Sequence, residues 1–218
     1  LFVYLITRQN NREFEVLFPM WALRLSGLKT FEEYRIFAAE TFEKRRAELA
    51  DRFYREFSNL DVSGLKKFQQ RYILGKLTQA VDLAAFGSSS EGHRWLSRYC
   101  DGANHIEHIT PQTPDEDIRA EFGDGFDNHQ IIWSIGNLAL AEAAINHSLG
   151  RKPYTGNAGT YGTKRPLKAD VYPNSQYLLT RSISRKVEIG RNTAIDRAVS
   201  ELEPYAAWNS KAISHRTE

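Results

Sequence analysis

Cysteine is nearly absent from this chain of 218 residues, and the one present, Cys100, rules out an intramolecular disulfide and any zinc cluster built on several thiolates. A reducing, intracellular setting suits such a chain. Long apolar runs are lacking as well. The opening "LFVYLITRQ" is far short of the roughly 20 residues that a membrane helix needs, and it has no basic leader of the kind that precedes a signal sequence. No membrane association is expected. The chain begins at Leu1 without a methionine, and its end, "AAWNSKAISHRTE", carries no helix-ending glycine, so it reads as a fragment of something longer. A phosphate-cradling Walker loop, a dinucleotide fingerprint and a nucleophilic serine triad are all missing.

Acidic residues are scarce in one place. Between Ala143 and Val187 only Asp170 is acidic, whereas Arg151, Lys152, Lys164, Arg165, Lys168, Arg181, Arg185 and Lys186 are basic. Tyr154, Tyr161, Tyr172 and Tyr177 are interleaved with them. A local basic segment dotted with aromatics suits a phosphate backbone, and a solvated basic loop is the plainer alternative. Hydrophobic content of 41% and charge of 26% are ordinary for a globular protein with ample core.

Helical patterning dominates the first part. Residues 28–58 are expected to form a helix, with Thr30 and Glu33 at capping-box spacing and Phe42, Leu49, Phe53 and Phe57 on one stripe. After the turn "SNLDVSG", a second helix carries Leu65, Phe68 and Tyr72, continued by Ile73, Leu77 and Val81. The aromatics of both helices read as core. "FGSSSEG", 86–92, is a flexible break. It suggests a helical region over 1–90 and a second domain over 91–218.

In the second domain a short helix at "HRWLSRY" precedes a strand at 104–110, a long polar loop follows over 111–129, and "QIIWSIGNLAL", 130–140, reads as a second strand broken by Gly136-Asn137. "LALAEAAINHSLG" is Ala-rich and reads as a helix stopped by Gly150. Within the first strand, "HIEHITPQ" presents His105 and Glu107 on one face and Ile106 and His108 on the other, and Pro111 ends the ladder. Glu107 and His108 therefore stand next to the strand's exit, where side chains can reach a substrate.

The order Glu107-His108, then Asn137, then Asn146 resembles the HNH, or ββα-metal, nuclease motif. More narrowly, "IEHITPQ", "IGNLAL" and an Asn nine residues after Asn137 resemble the C-terminal nuclease domain of GmrSD-type restriction enzymes, which act in bacterial phage defence. Lys168, Tyr172 and Ser175 in "KADVYPNS", Trp208, Ile213 and Arg216 in the final segment, and "RYILGKL" at 71–77 also resemble that family. The resemblance spans roughly 65–218 and is sharpest over 105–146.

It implies an α+β, mainly helical fold: a ββα-metal core with an N-terminal helical region and C-terminal helical additions. The implied activity is metal-dependent cutting or nicking of DNA, phage or modified, in the bacterial cytoplasm. In the family a preceding sensor or nucleotide-hydrolysing domain works with the nuclease, and no motif for it is present here. His108 would be the general base, since neutral histidine suits that task near pH 7. Asn137 would brace the loop and orient that histidine. Glu107 and the Asn146 amide oxygen would hold a divalent ion, Mg²⁺ or alternatively Mn²⁺, because hard cations take oxygen ligands. HNH enzymes often carry Asp where Glu107 stands, which leaves open whether its contact is direct or through a water. Arg151, Lys152, Lys164, Arg165 and Lys168 would grip DNA. His105 is not required by the pattern, His147 points about 100° away from Asn146 on a helix, and His129 and the run at 114–117 read as loop. The alternatives are a non-catalytic DNA-binding or docking module on the same scaffold, and an RNA-cleaving toxin.

Overall fold

The computed structural model describes residues 2–8, 12–87, 89–114, 116, 132–152, 154 and 167–183. The chain divides into two compact units, Leu1–Leu60 and Asp61–Glu218. The described residues are mainly helical with one small sheet, as expected. No helix among the described residues is long and apolar enough to cross a membrane.

The first unit contains α1 (Phe2–Ile6), α2 (Glu13–Ser26), α3 (Phe31–Ala38) and α4 (Lys44–Ser58), with a π-helical turn over Ala39–Glu43. The expected capping box is present: the Thr30 hydroxyl accepts from the Glu33 N–H, and the Glu33 carboxylate accepts from the Thr30 N–H. Leu49, Phe53 and Phe57 are buried, as their stripe requires, but Phe42 is exposed. The π turn explains the exception. It inserts residues into the 3.6-residue repeat, so a stripe extrapolated back across it loses register. Tyr4, Phe14 and Leu49 form a small buried cluster in this unit.

The second unit opens with a bridge between Asp61 and Ser134, and continues into α5 (Lys67–Phe86), α6 (Ser97–Cys100) and β1 (Asn104–His108). The break at 86–92 therefore lies within this unit. Ile73, Leu74, Leu77 and Val81 form the buried face of α5, whereas Phe68 is exposed. Gly75 permits close approach of α6: a Cβ there would come within 3.1 Å of the Cys100 sulfur and 3.3 Å of the Tyr99 Cβ.

A 3-10 turn over Ile135–Asn137 leads into β2 (Leu138–Glu142) and then α7 (Ala143–Leu149). The two strands are antiparallel, with Asn104 opposite Glu142 and His108 opposite Leu138. Two expectations are corrected here. Residues 132–137 are not part of the second strand, which runs over Leu138–Glu142, while 130 and 131 lie outside the described residues. Leu138–Glu142 is also strand where its alanines suggested helix. Propensity is a weak prior. These five residues find a complete ladder partner in β1, extended by the Ile109 N–H to the Asn137 carbonyl (2.9 Å) and the Ala143 N–H to the Ala103 carbonyl (3.0 Å).

An isolated two-stranded ribbon is marginal in water, and here it is laced by the segment 167–183. That segment contains α8 (Lys168–Val171), a 3-10 turn over Tyr172–Asn174 and α9 (Leu178–Ser182). Tyr177 donates to the Asn104 side chain at 2.7 Å, Ser175 to Glu142 at 2.9 Å, and Thr180 to the Leu140 carbonyl at 2.6 Å. The Leu178 N–H donates to Asp82 on α5 at 3.2 Å. Beneath these bonds Ile109, Ala139, Leu149, Tyr154, Val171, Tyr172 and Ile183 form an apolar core.

Gly150 ends α7 with φ 53 and ψ −139, as its place after the last helical residue predicted. A side chain is excluded there by the backbone alone, since a Cβ would meet nothing closer than 4.0 Å. Gly150→Ala should lower the unfolding free energy by about 1–3 kcal/mol, the usual cost of holding a non-glycine residue in such a conformation. A urea titration followed by near-ultraviolet circular dichroism measures this, and the change should be small if α7 ends differently.

Candidate active site

His108 is the last residue of β1, and its ring is held on both nitrogens. Nδ1 lies 3.2 Å from the Ile132 carbonyl oxygen. A carbonyl only accepts, so Nδ1 carries the proton and Nε2 is the basic nitrogen. The Gln112 amide stands 3.0 Å from Nε2 and, as a donor, points at that lone pair. Trp133 packs edge-on against the ring at 5.3 Å. Burial lowers the His108 pKa to about 4, with the nearby Lys168 charge pushing the same way and the Ile132 bond opposing it. The imidazole is therefore neutral at pH 7.

Asn137 fixes the loop around that ring. Its Oδ1 accepts from the Thr110 N–H at 2.7 Å, and its Nδ2 donates to the carbonyls of Thr110 (3.0 Å) and Ile132 (3.1 Å). The Ile132 oxygen thus accepts from both Asn137 and His108. The same stretch is pinned from outside, because the Val62 N–H bonds the Trp133 carbonyl at 3.0 Å and Gln70 holds the Val62 carbonyl at 2.8 Å. Asn137 stands at the head of β2, not at the end of a strand as expected.

The opposite face of β1 carries Glu107 and His105. Glu107 is buried, and its Oε1 accepts from the Lys168 ammonium at 2.6 Å and the Tyr172 hydroxyl at 3.1 Å. Burial pushes its carboxyl above the ordinary range, against the pull of Lys168 and Tyr172. The Lys168 ammonium also donates to the His108 carbonyl. Lys168, expected to grip DNA, is only 1% exposed, so its charge is committed inside the protein and not to a backbone outside it. Asn146 lies on α7 with its Nδ2 3.3 Å from His105 Nδ1, and the His147 ring is 6.1 Å from that of His105. His105, which the pattern did not require, is thus the neighbour of the expected amide ligand.

Arg151 is exposed, and Lys152 donates to the Ser148 carbonyl at 2.5 Å near the end of α7. Lys164, Arg165 and His129 lie outside the described residues, as do Trp208, Ile213 and Arg216.

Among the described residues no group of three or more His, Cys, Asp and Glu side chains could hold a metal ion. Magnesium does not need one, because it is bound through one or two carboxylates or amides with water and phosphate completing its shell. Of the two expected ligands, Asn146 stands on α7 beside His105, and Glu107 is buried with its Oε1 already accepting from Lys168 and Tyr172. An ion at Glu107 would have to be held through a water. A dication set directly on the same carboxylate would stand near the ammonium and be repelled by on the order of several kcal/mol.

The partners that sequence reasoning missed are Lys168 and Tyr172 for Glu107, Gln112 and the Ile132 carbonyl for His108, and His105 for Asn146. Lys168 and Tyr172 do carry a local signal, since their spacing of four sets them one helical turn apart on one face. Gln112 lies four positions from His108, just past Pro111, whereas the Ile132 carbonyl and the pairing of His105 with Asn146 depend on chain reversal and have none.

Residues 47–218 match the family described as GmrSD restriction endonucleases, C-terminal domain. No curated protein and no solved structure matches the chain.

The depressed His108 pKa carries a sign for stability. The folded ring resists protonation more than the unfolded one, so the unfolded chain takes up the proton first as pH falls. The contribution of neutral His108 is complete above about pH 6.5 and is lost by about pH 4, a difference of about 3 kcal/mol. Urea unfolding at pH 7 and pH 4 should show that loss, and His108→Gln should remove most of it. An equal drop in the variant would assign the acid sensitivity to other groups.

Proposed function

The chain belongs to the C-terminal domain family of the GmrSD restriction endonucleases, and from that premise we propose that it hydrolyses DNA phosphodiester bonds with His108 as general base. The observation that carries this reading is the Ile132 carbonyl. It takes the proton-bearing Nδ1 of His108, leaves Nε2 basic, and is itself held by Asn137. A buried ring with a pKa of about 4 is a weaker base than a free imidazole, but it is wholly in its proton-accepting form at pH 7. Gln112 covers Nε2 in this structure and would be displaced by, or would share, the attacking water.

The water's proton passes to Nε2, its oxygen attacks phosphorus, and the opposite oxygen leaves with the cut strand. Asn137 keeps the ring from turning as it becomes charged, since the Nδ1–H bond to Ile132 strengthens with the positive charge. A divalent cation, Mg²⁺ or Mn²⁺, would be held by the Asn146 amide oxygen, by Glu107 through a water and by the phosphate, and would neutralise charge on the leaving oxygen. Arg151 and Lys152, with Lys164 and Arg165, supply sequence-independent grip on the backbone. In the cell the domain would serve a bacterial, cytoplasmic anti-phage restriction system, on phage or modified DNA chosen by a sensor portion of the same protein.

Supercoiled plasmid incubated with the chain should be nicked or linearised with Mg²⁺ and left intact with chelator. His108→Ala should slow cutting by roughly 10²–10⁴ while DNA affinity persists. Asn146→Ala should raise the Mg²⁺ concentration needed, with Mn²⁺ restoring part of the rate. A variant at His108 within twofold of the parent would sink the assignment of the base. Intact plasmid with retained binding would favour the docking module, and cleavage of RNA alone would favour the toxin.

Fluorescence anisotropy across a salt series tests the grip. Replacing Arg151, Lys152, Lys164 and Arg165 by alanine should flatten the dependence of log affinity on log salt by roughly 0.9 per lost phosphate contact. An unchanged slope would place the DNA-binding surface elsewhere.

A further inference from the structure

The nuclease reading uses Glu107, His108, Asn137 and Asn146, and leaves a buried ammonium unexplained. Lys168 comes from a later segment of the second unit, 61 positions from Glu107 and 60 from His108. Its side chain is 1% exposed. An ammonium has three donors and no acceptor. One of these donors meets Glu107 and one meets the main-chain carbonyl of His108 itself. We infer that Lys168 is a positioning residue, which holds the backbone of His108 from behind while Asn137 and Ile132 hold its ring. The inference rests on His108 being the base.

Charge balance alone does not account for the arrangement. A buried ion pair replaced by apolar groups of similar size is often no less stable, so stability by itself does not call for an ammonium here. What an apolar replacement cannot do is donate to the His108 carbonyl. That oxygen lies at the strand's exit, where the ladder continues through the Ile109 N–H to the Asn137 carbonyl. The lysine is in turn rigidly placed. The Ala169 N–H bonds the Tyr154 carbonyl at 3.2 Å, and the Tyr154 hydroxyl donates to the Ile183 carbonyl. Tyr172, one turn on, reaches the same Glu107 oxygen as Lys168. The base is thus presented by three elements: β1 bears it, the turn before β2 orients its ring, and α8 sets its main chain.

The site then depends on α8 being docked. Displacement of a catalytic group by about 1 Å costs on the order of 10²-fold in rate, so loss of the Lys168 donor should appear in kcat and not in DNA affinity.

Two variants of the full chain test this, read by long-range ¹H–¹⁵N spectra of the His108 ring and by plasmid cleavage. Lys168→Met should reduce kcat roughly 10²-fold with KM and DNA affinity within about twofold, and should shift the His108 ring signals from the single Nδ1–H form. Because that change leaves Glu107 without its cation, Glu107→Gln/Lys168→Met removes both charges and restores the thermal midpoint. In the double variant the His108 signals should remain shifted, since the donor to its carbonyl is still missing. Wild-type His108 signals in the folded double variant would overturn the inference and leave Lys168 as a counter-charge alone. Wild-type kcat in a folded Lys168→Met chain would overturn it as well. Should the parent chain cut no nucleic acid, the nuclease reading fails by itself, and the His108 spectra still decide what Lys168 positions.

Discussion

The buried pair of Lys168 and Glu107 is the constraint on which the second unit turns. Taking two charges out of water costs several kcal/mol per ion, and their attraction repays this only where further hydrogen bonds complete the arrangement. Here Tyr172 supplies a second donor to the carboxylate and the His108 carbonyl a second acceptor for the ammonium. The pair cannot form unless α8 lies across β1, and α8 cannot lie there unless Tyr172 fills the core beside Ile109, Ala139 and Leu149. One interaction therefore ties the strand that bears the candidate base to a segment some 60 positions away.

The same economy recurs along the segment 167–183. A two-stranded sheet offers little area to bury, and polar anchors replace what a larger sheet would supply by apolar contact. Asn104, Glu142 and the Leu140 carbonyl on the two strands each meet one side chain of that segment. Farther out, Asp82 on α5 accepts from the Tyr99 hydroxyl and from the Leu178 N–H, joining α5, α6 and α9. Burial raises the pKa of both Asp82 and Tyr99, and each is satisfied by the other. A partly satisfied network of this kind would be worse than an apolar core. Satisfaction at each node gives the ribbon a single register.

Within that frame the candidate site separates two tasks onto two faces of β1. One face orients the base through the Ile132 carbonyl, which Asn137 shares. The other gathers Glu107, His105 and Asn146 with their oxygen and nitrogen donors. Strand alternation makes this possible, because adjacent residues Glu107 and His108 necessarily point to opposite sides. A base and a carboxylate can then be neighbours in sequence yet sit in environments that push their pKa values in opposite directions.

What the sequence determined by itself were chiefly the features set by a few consecutive residues. These include the capping box of Thr30 and Glu33, the strand through His105 and Glu107, and the end of α7 at Gly150. Each depends on side chains within about five positions, whose spacing can be counted along the chain. Tertiary structure decided the rest. Leu138–Glu142 became a strand because β1 supplied its ladder, against the helical preference of its alanines. Lys168 turned inward because Glu107 was there to meet it, although a lysine in a basic stretch reads as surface. Ladder pairing and buried charge pairing are both settled between residues roughly 30 to 60 positions apart, and only the folded chain brings such residues within hydrogen-bonding distance.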